Sequence, residues 1–368
     1  MYYLLFFGAV GSLIPFFNIY LQQKGLSGAQ IGWLGSIPPL VTLIANPFWG
    51  GVADRWQIYR QVLFLCALSA GGVSLLFLQA NSFWLFMVLV IILFFFRNPM
   101  AAIVDGTVMS VVTRLNASYG RQRLWGTTGF LLASLVLAQF LTPQTMNLTF
   151  WLHATLLGLG CAVLSIFIPV EPSPQNTRLR QGLKILLGQP HYLSFFIALI
   201  LMGIGLSCYV GFLGLHVLAV GGTERHVGLV WAANSLLEIP MMYFGASWFA
   251  RFSFRRLIPG AMLGYVVIWG LIGLANSVWL IIAVVLGIGL CYGVYWVAVV
   301  GFVAKTAPVG LRATSQAMVG IAMNGFGWSI GSVVAGYVWD QLGGGAVFGF
   351  ASLCALAAIA IFLKGCRQ

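Results

Sequence analysis

Long apolar runs alternate with short polar stretches along the whole chain. The runs at 83–96 (FWLFMVLVIILFFF) and 277–304 contain no charged residue. About 20 consecutive apolar residues are needed for a helix to cross the hydrocarbon core of a bilayer. The weak alternation over about ten residues that marks the strands of a membrane barrel is not found in this pattern. The distribution of apolar positions therefore predicts an all-α membrane protein.

Twelve apolar segments are long enough to span a bilayer. The predicted spans are 2–22, 29–53, 61–79, 83–113, 121–142, 148–169, 191–219, 227–250, 257–275, 279–303, 313–338 and 346–363. Each consists of about 18 residues or more, which is the usual minimum for a membrane-spanning helix.

Composition strengthens the membrane prediction and argues against bound metal. Hydrophobic residues make up 61% of the 368 residues and charged residues only 7%, whereas about a quarter of a soluble domain is charged. The 6 cysteines are scattered through apolar segments without the short Cys and His spacings of metal sites. They are expected to act as small packing residues. We expect neither a metal nor another cofactor.

The positive charge of the chain follows its predicted topology. The formal net charge of +12 comes from 18 basic and 6 acidic residues. If the N-terminus is inside, most basic residues lie in cytoplasmic segments, and the outer loops hold only Lys24 and Arg225. Such a bias sets the orientation of membrane proteins. It predicts a multi-pass protein of the cell (inner) membrane with both termini in the cytoplasm, and it accounts for the charge without a nucleic-acid partner.

The two halves of the chain resemble each other. The segment at 31–56 is similar to the segment at 227–252, and the one sizeable polar stretch lies between the halves. Two six-helix halves around a central linker are typical of secondary transporters, which bind substrate near the bilayer midplane. We predict two pseudo-symmetric six-helix bundles, at 1–169 and 191–368, joined by a cytoplasmic linker at 170–190.

The sequence GGVADR at 50–55 carries a more specific resemblance. It is similar to the loop between helices 2 and 3 of the major facilitator superfamily, although Gln57 and its neighbours do not continue the family's glycine and basic residues. Together with the repeat, the resemblance covers the entire chain and implies the major facilitator fold. It also implies a gate made by Gly50, Asp54 and Arg55, in which the carboxylate meets basic loops and helix N-termini when the cytoplasmic side closes. A boundary charge that merely ends the helix is the alternative.

Ionisable residues inside predicted spans are candidates for function. Asp105 and Glu238 are the two acidic residues in such positions. An ionised group near the bilayer centre costs about 3 kcal/mol on insertion scales, so these residues usually face a bundle interior or a cavity. Arg97 shares a helix face with Asp105 but lies about 12 Å from it along the axis, too far for a direct contact. We predict that all three contact substrate; a structural ion pair is the alternative.

The segment YGRQRLWGTTGF at 119–130 resembles the corresponding region of the lactose permease, nucleoside–proton symporter and phenylpropionate permease group. In the lactose permease, a carboxylate of helix 4 and an arginine of helix 5 form the sugar-binding pair. The resemblance implies the same role for Asp105 and Arg123. We assign Arg121 to the membrane boundary.

Two further residues follow Arg123 along one stripe of the same predicted helix. Thr127 adds a hydroxyl and Phe130 an aromatic ring. A guanidinium, a hydroxyl and a ring suit a solute with hydroxyl or carboxylate groups beside a flat or apolar face. Ordinary helix packing is the alternative for Thr127 and Phe130.

The remaining predicted site residues lie on other spans. Related permeases place a substrate-contacting carboxylate on helix 8, which implies this role for Glu238, and Asn234 lies one turn before it. Four weaker candidates for substrate binding are Asn18, Asn324, Tyr292 and Trp296. Interhelical hydrogen bonds and aromatic packing are the alternatives for these four.

Two residues are candidates for binding a coupling proton. The lactose permease carries a histidine and a glutamate on helix 10, whereas the tenth span here, 279–303, carries no charge. A coupling proton must therefore bind Asp105 or Glu238, or the protein is not proton-coupled. Burial disfavours the charged form of a carboxyl, and a neighbouring Arg123 would favour the charged form of Asp105. Glu238 is therefore the preferred proton site.

The combined expectation is a secondary active transporter. It would couple proton flow to uptake of a small polar organic solute, such as a nucleoside, a sugar or an aromatic acid, by alternating access. Its partners would be that solute, the coupling proton and the lipid bilayer, and we expect a monomer. A proton-driven exporter of drugs or metabolites is the first alternative, and a non-transporting membrane sensor is a remote one. An enzyme is not expected, because the chain lacks a nucleophile elbow, a metal-spaced cluster and a Gly-rich phosphate loop.

Overall fold

The computed structural model describes residues 1–114, 119–168, 190–249, 252–307 and 311–365, and no strand occurs within these ranges. The helices of the first half are α1 (Tyr2–Gln23), α2 (Gly28–Trp56), α3 (Tyr59–Leu76), α4 (Phe83–Arg114), α5 (Tyr119–Ala138), α6 (Leu148–Ala154) and α7 (Ala162–Ser165). Those of the second half are α8 (Pro190–Ala219), α9 (Glu224–Phe249), α10 (Phe254–Gly273), α11 (Val278–Thr306), α12 (Arg312–Gly320) and α13 (Trp328–Gly365). Within the described ranges, nine helices are long and apolar enough to cross a membrane.

All twelve predicted spans overlap described helices, although some helices are interrupted. A π-helical turn, Thr155–Cys161, joins α6 to α7, and a second one, Ile321–Gly327, joins α12 to α13. Within α13 the backbone leaves the helical region at Gly343, where φ is 78° and ψ is −178°. This left-handed backbone favours glycine. Gly343 thus separates the eleventh predicted span from the twelfth.

Local sequence signals explain the ends of α2. Ser27 accepts a hydrogen bond from the Gln30 backbone, and the Gln30 side chain bonds back to Ser27, which forms a capping box. At the other end, Gln57 adopts a left-handed conformation with φ of 56°. A left-handed residue directly after a helix is a common way to end it.

The chain divides into two compact units. Unit 1 comprises Met1–Pro174 and Gly222–Ala232, and unit 2 comprises Gln175–Gly221 and Ala233–Gln368. The predicted linker at 170–190 lies, apart from Pro190, outside the described residues.

Unit 1 is built around a close crossing of α1 and α5. Glycines stand at both contact points, because a side chain on Gly129 would run into the Leu4 backbone and one on Gly11 into the Phe130 backbone. Glycine lets two helix backbones approach closely, which is a recurring device in membrane proteins. The crossing brings the first turns of α1 alongside the first turns of α5, where Arg123 lies.

Unit 2 packs α8 against α13, and α10 against both α11 and α13. Its interior is aromatic: Tyr265, Trp269 and Tyr295 are fully buried. A methyl group added at Gly289 of α11 would lie 2.7 Å from the backbone nitrogen of Glu238. Gly289 therefore permits the approach of α11 to α9 beside that carboxyl-bearing residue.

Candidate functional site in each unit

A cluster in unit 1 contains the predicted pair Asp105 and Arg123. We define the unit 1 cluster as Tyr3, Phe7, Asp105 and Arg123. The Tyr3 hydroxyl, from α1, donates a hydrogen bond to the Asp105 carboxylate of α4. The Arg123 guanidinium, from α5, lies 5.7 Å from the centroid of the same Tyr3 ring. Tyr3 therefore contacts both residues of the predicted pair, Asp105 and Arg123.

The Arg123 guanidinium packs mainly on an aromatic face. Its Cζ atom lies 4.0 Å from the centroid of Phe7, well within the range of a cation–π interaction. A methyl group added at Gly126, one turn later on α5, would lie 2.6 Å from the Arg123 Nη1 atom and 2.8 Å from Phe7 Cδ2. The small residue at this position leaves the room in which the guanidinium lies. Arg123, Asp105 and Phe7 are all half-buried.

Thr127 and Phe130 continue along α5, and both are half-buried. Phe130 packs edge-on against Trp231 of unit 1, with ring centroids 5.8 Å apart and an interplanar angle of 60°. Phe130 is thus part of an aromatic contact that the sequence analysis did not anticipate. The side chain of Arg121 lies outside the described part of the chain.

Arg97 occupies a different position from the unit 1 cluster. Only 6% of its surface is exposed, and its Cζ atom lies 4.2 Å from the centroid of Phe94. Its Nε and Nη1 atoms have no hydrogen-bond partner within the described residues. The structure thus buries Arg97 two turns away from Asp105 on α4. That Arg97 contacts substrate stays a prediction.

His153 of α6 lies buried in the same bundle and was missed by the sequence analysis. Its Nδ1–H donates to the Ala9 carbonyl over 2.7 Å, because a carbonyl oxygen can only accept. Its Nε2 atom is buried and has no partner in the described ranges. A histidine in an apolar span was the available signal, since ionisable residues at this depth are usually functional or paired.

A second cluster lies in unit 2 and contains Asn234 and Glu238. We define the unit 2 cluster as Tyr209, Asn234 and Glu238. The Tyr209 hydroxyl of α8 donates to the Asn234 Oδ1 atom of α9 over 3.0 Å. Glu238 lies one turn after Asn234, and both are half-buried. Tyr209, with 2% of its surface exposed, was not predicted.

The weaker candidates are distributed along both units. Tyr292 and Trp296 of α11 form a parallel stack, with ring centroids 6.3 Å apart and an interplanar angle of 9°. Asn18 lies near the end of α1 and is half-buried. Asn324 lies in the π-helical turn before α13, with an exposed side chain. None of these four residues belongs to either cluster as defined above.

The predicted gate residues lie at the exposed end of α2. The Asp54 carboxylate accepts a hydrogen bond from the Tyr59 hydroxyl over 2.6 Å, and the Asp54 carbonyl accepts one from Gln57 over 2.7 Å. The Arg55 guanidinium lies 5.6 Å from the centroid of Trp56. A side chain at Gly50 would meet nothing within 4 Å. In this structure Asp54 therefore bonds within its own loop.

Two bundles of apolar helices, each with ionisable side chains in its interior, define a multi-pass membrane protein of the transporter class. Comparison with known proteins agrees with this. A maltose permease from Geobacillus stearothermophilus is 27% identical, covering 99% of this chain and 92% of its own. A probable 3-phenylpropionic acid transporter from Escherichia coli K12 is 25% identical, covering 97% of this chain and 94% of its own. The crystal structure of the nucleoside transporter NupG matches all of this chain and 98% of its own with a TM-score of 0.85, at 18% identity.

The family model described as MFS_1 like family matches residues 1–350. The chain belongs to this family, within the major facilitator superfamily, and the predicted fold and transporter class are confirmed. Its relatives are transporters rather than enzymes. These relatives are named for different substrates, so family membership does not identify the transported solute.

Proposed function

We propose that the protein is a proton-coupled symporter that takes up a small, neutral, hydroxyl-bearing solute such as a sugar or a nucleoside. The observation that carries this proposal is the unit 1 cluster, in which Tyr3 links the carboxylate of Asp105 to the guanidinium of Arg123. The similarity to a maltose permease and to the fold of a nucleoside transporter supports the same class of solute.

The charge balance of the unit 1 cluster favours a neutral solute over an anion. The positive charge of Arg123 is offset by the carboxylate on the other side of Tyr3, so a substrate carboxylate would have to compete with Asp105. A sugar or ribose hydroxyl can accept from the guanidinium and donate to the carboxylate at the same time. The aromatic rings of Tyr3 and Phe7 add flat apolar surface of the kind that packs against sugar or base faces.

We propose that both clusters contain residues of the transport machinery. Unit 1 supplies Arg123 and Asp105, with Thr127 and Phe130 further along α5. Unit 2 supplies Asn234 and Glu238, and Glu238 is the site of the coupling proton.

Uptake into proteoliposomes tests the proposal directly. Purified protein would be offered maltose, uridine and 3-phenylpropionate separately, with an imposed pH gradient that drives protons inward. We expect one of the two neutral solutes to accumulate, and its entry to carry protons into the lumen. Accumulation of 3-phenylpropionate alone would contradict the neutral class, and solute expulsion against inward proton flow would favour the exporter alternative.

The gate assignment is a separate proposal for Asp54. Because its carboxylate bonds to Tyr59 at the end of α2, loss of the negative charge is expected to weaken closure on that side and lower transport several-fold. Asp54→Asn would be compared with Asp340→Asn, which removes another exposed carboxylate, in membranes containing equal amounts of protein. Wild-type transport by Asp54→Asn would reduce Asp54 to a residue at a helix boundary.

Orientation can be tested independently of transport. We propose that both termini are cytoplasmic, because most basic residues fall on that side under this arrangement. A reporter fused after Gln368 that is active only in the cytoplasm is expected to be active. If the C-terminal reporter is inactive in protein that folds and transports, the proposed orientation is wrong.

A further inference from the structure

Tyr209 is the member of the unit 2 cluster to which the proposed function gives no role. It lies on α8 with 2% of its surface exposed. A buried tyrosine hydroxyl normally requires a partner. Here the hydroxyl donates to the Asn234 Oδ1 atom over 3.0 Å, which ties the interior of α8 to the polar face of α9.

This bond determines which end of the Asn234 carboxamide a solute meets. An asparagine side chain has one acceptor, its carbonyl oxygen, and two N–H donors on its nitrogen. Tyr209 occupies the oxygen, so the amide is oriented with that atom toward α8. The two N–H groups of the same amide are then the part that a bound solute can use.

Glu238, one turn further along α9, supplies a hydrogen-bond acceptor beside the N–H donors of Asn234. Residues four apart on a helix are neighbours on one face, and both side chains are half-buried. An amide donor and a carboxyl acceptor side by side match a hydroxyl group, which donates and accepts at once. A substrate carboxylate, which can only accept, would be repelled by an ionised Glu238.

The surroundings hold the Tyr209 ring in place. The Trp269 ring stacks on the Tyr209 ring, with ring centroids 6.4 Å apart and an interplanar angle of 30°. The Tyr265 ring also packs against Trp269, with ring centroids 4.9 Å apart. The crossing at Gly289 fixes the α9 backbone at Asn234 and Glu238 against α11. A rigid support of this kind is what keeps a binding group in its productive orientation.

We infer that Tyr209 is a positioning residue that determines specificity for a substrate hydroxyl. It holds the Asn234 amide so that its N–H groups, together with the Glu238 carboxyl, recognise one hydroxyl of the solute. This inference rests on the proposed function, since it requires a hydroxyl-bearing substrate, and it adds a residue whose side chain need not touch that substrate.

The inference is tested by removing the hydroxyl oxygen of Tyr209. Tyr209→Phe keeps the ring and its stacking on Trp269 but frees the Asn234 amide to rotate. Tyr265→Phe is the matched control, because it removes another buried hydroxyl beside Trp269 that has no hydrogen-bond partner in the described ranges. Affinities would be measured on purified wild type and variants with uridine and 2′,3′-dideoxyuridine, and with maltose and 3-phenylpropionate.

Tyr209→Phe is expected to weaken binding of the hydroxylated probe about three- to tenfold, the range for one lost hydrogen bond. It should also reduce the preference for uridine over its dideoxy analogue, or for maltose over 3-phenylpropionate. Tyr265→Phe should keep both affinity and preference. A purely structural role would lower stability without changing the preference, so an unchanged preference in Tyr209→Phe overturns the inference.

A second variant guards against a general loss of folding. In Asn234→Asp the carboxylate oxygen still accepts from Tyr209, but the N–H donors are gone, so the preference for the hydroxylated probe should fall similarly. Adding Tyr209→Phe to Asn234→Asp should then change little further, because both act through the same amide. Additive losses would contradict the inference.

The failure of this inference can be told apart from failure of the proposed function. If the wild type binds a neutral probe and Tyr209→Phe binds it equally well, only the role of Tyr209 is wrong. If the wild type binds 3-phenylpropionate and neither neutral probe, the proposed class of solute and the role of Tyr209 are both wrong.

Discussion

The two clusters hold their carboxyl groups in different ways. In unit 1, Asp105 shares Tyr3 with the guanidinium of Arg123, so a positive charge stands close to the acid. In unit 2, Glu238 lies one helical turn after Asn234, whose amide oxygen accepts a hydrogen bond from Tyr209. An acid that balances a half-buried arginine is costly to protonate, because the arginine is then left without its counter-charge. A neutral neighbour such as the Asn234 amide loses no counter-charge when the acid beside it takes up a proton.

The difference suggests a division of labour between the units. Under the proposed function, the fixed charges of the unit 1 cluster are suited to holding the solute, and the Glu238 carboxyl of the unit 2 cluster is suited to carrying the proton. The four predictions that follow test this contrast, beginning with the largest expected effect.

Arg123→Lys is expected to weaken substrate binding about 100-fold. Lysine keeps the charge but loses the planar fork and its stacking on Phe7, and the two side chains are not equivalent at such sites. Affinity for maltose and uridine would be measured by calorimetry. Gln122→Lys, which adds an ammonium at the exposed neighbouring position, is the control and should bind as the wild type does. Parent-like binding by Arg123→Lys would make Arg123 a boundary residue.

Glu238→Gln is expected to abolish accumulation driven by a pH gradient while leaving exchange partly intact. The amide mimics the protonated acid, and exchange of solute across the membrane needs no deprotonation. With a gradient of one pH unit, the wild type should accumulate the solute about tenfold. Glu238→Gln should only bring the solute to equal concentrations on both sides. Asp105→Asn should instead impair both processes, because it disturbs binding. Retained accumulation in Glu238→Gln would transfer the coupling role to Asp105 or to another ion.

Asp105 and Arg123 are expected to be energetically coupled by about 1–3 kcal/mol in a double-mutant cycle on substrate affinity. The variants Asp105→Asn, Arg123→Gln and the pair together would be compared. Each single change leaves the charge of the other residue unbalanced. The double variant should therefore lose less substrate affinity than the two single losses added together. Tyr3→Phe, which removes the bridging hydroxyl, should reduce the coupling. Independent effects would separate the two residues into different sites.

Gly289→Ala is expected to have the smallest effect of the four. The added methyl group would push α11 away from α9 beside Glu238, and overpacking of this kind costs about 1–3 kcal/mol of stability. The melting temperature and the pH-driven accumulation should both fall. Gly260→Ala on α10 is the matched control, since its methyl group would meet nothing within 4 Å. Equal behaviour of the two variants would mean that the helix crossing does not support Glu238.

Much of the architecture could be predicted because membrane insertion is a local property. An apolar run of sufficient length spans the bilayer whatever its neighbours are, so the predicted spans overlap the described helices throughout. The ends were less predictable. The π-helical turns at Thr155–Cys161 and Ile321–Gly327 leave no plain signal in an apolar run, because they depend on how neighbouring helices pack.

The candidate site was predictable in part. Asp105, Arg123, Asn234 and Glu238 could be named because polar residues are rare in apolar spans and because the fifth span resembles that of known permeases. Tyr3 and Tyr209 could not be selected in this way. Aromatic residues are common throughout the chain, and a tyrosine that bonds to a carboxylate has the same sequence appearance as one that only packs.

The sequence by itself determined the membrane class, the repeated halves and the small set of residues that carry charge into the apolar spans. Only the tertiary structure decided which side chains meet. Tyr3 and Asp105 are 102 positions apart, and Tyr209 and Asn234 are 25 apart on different helices. Their contacts depend on how helices rotate and cross at glycines such as Gly129 and Gly289. Helical periodicity defines the faces of one helix, but close packing between helices selects the partner of each face.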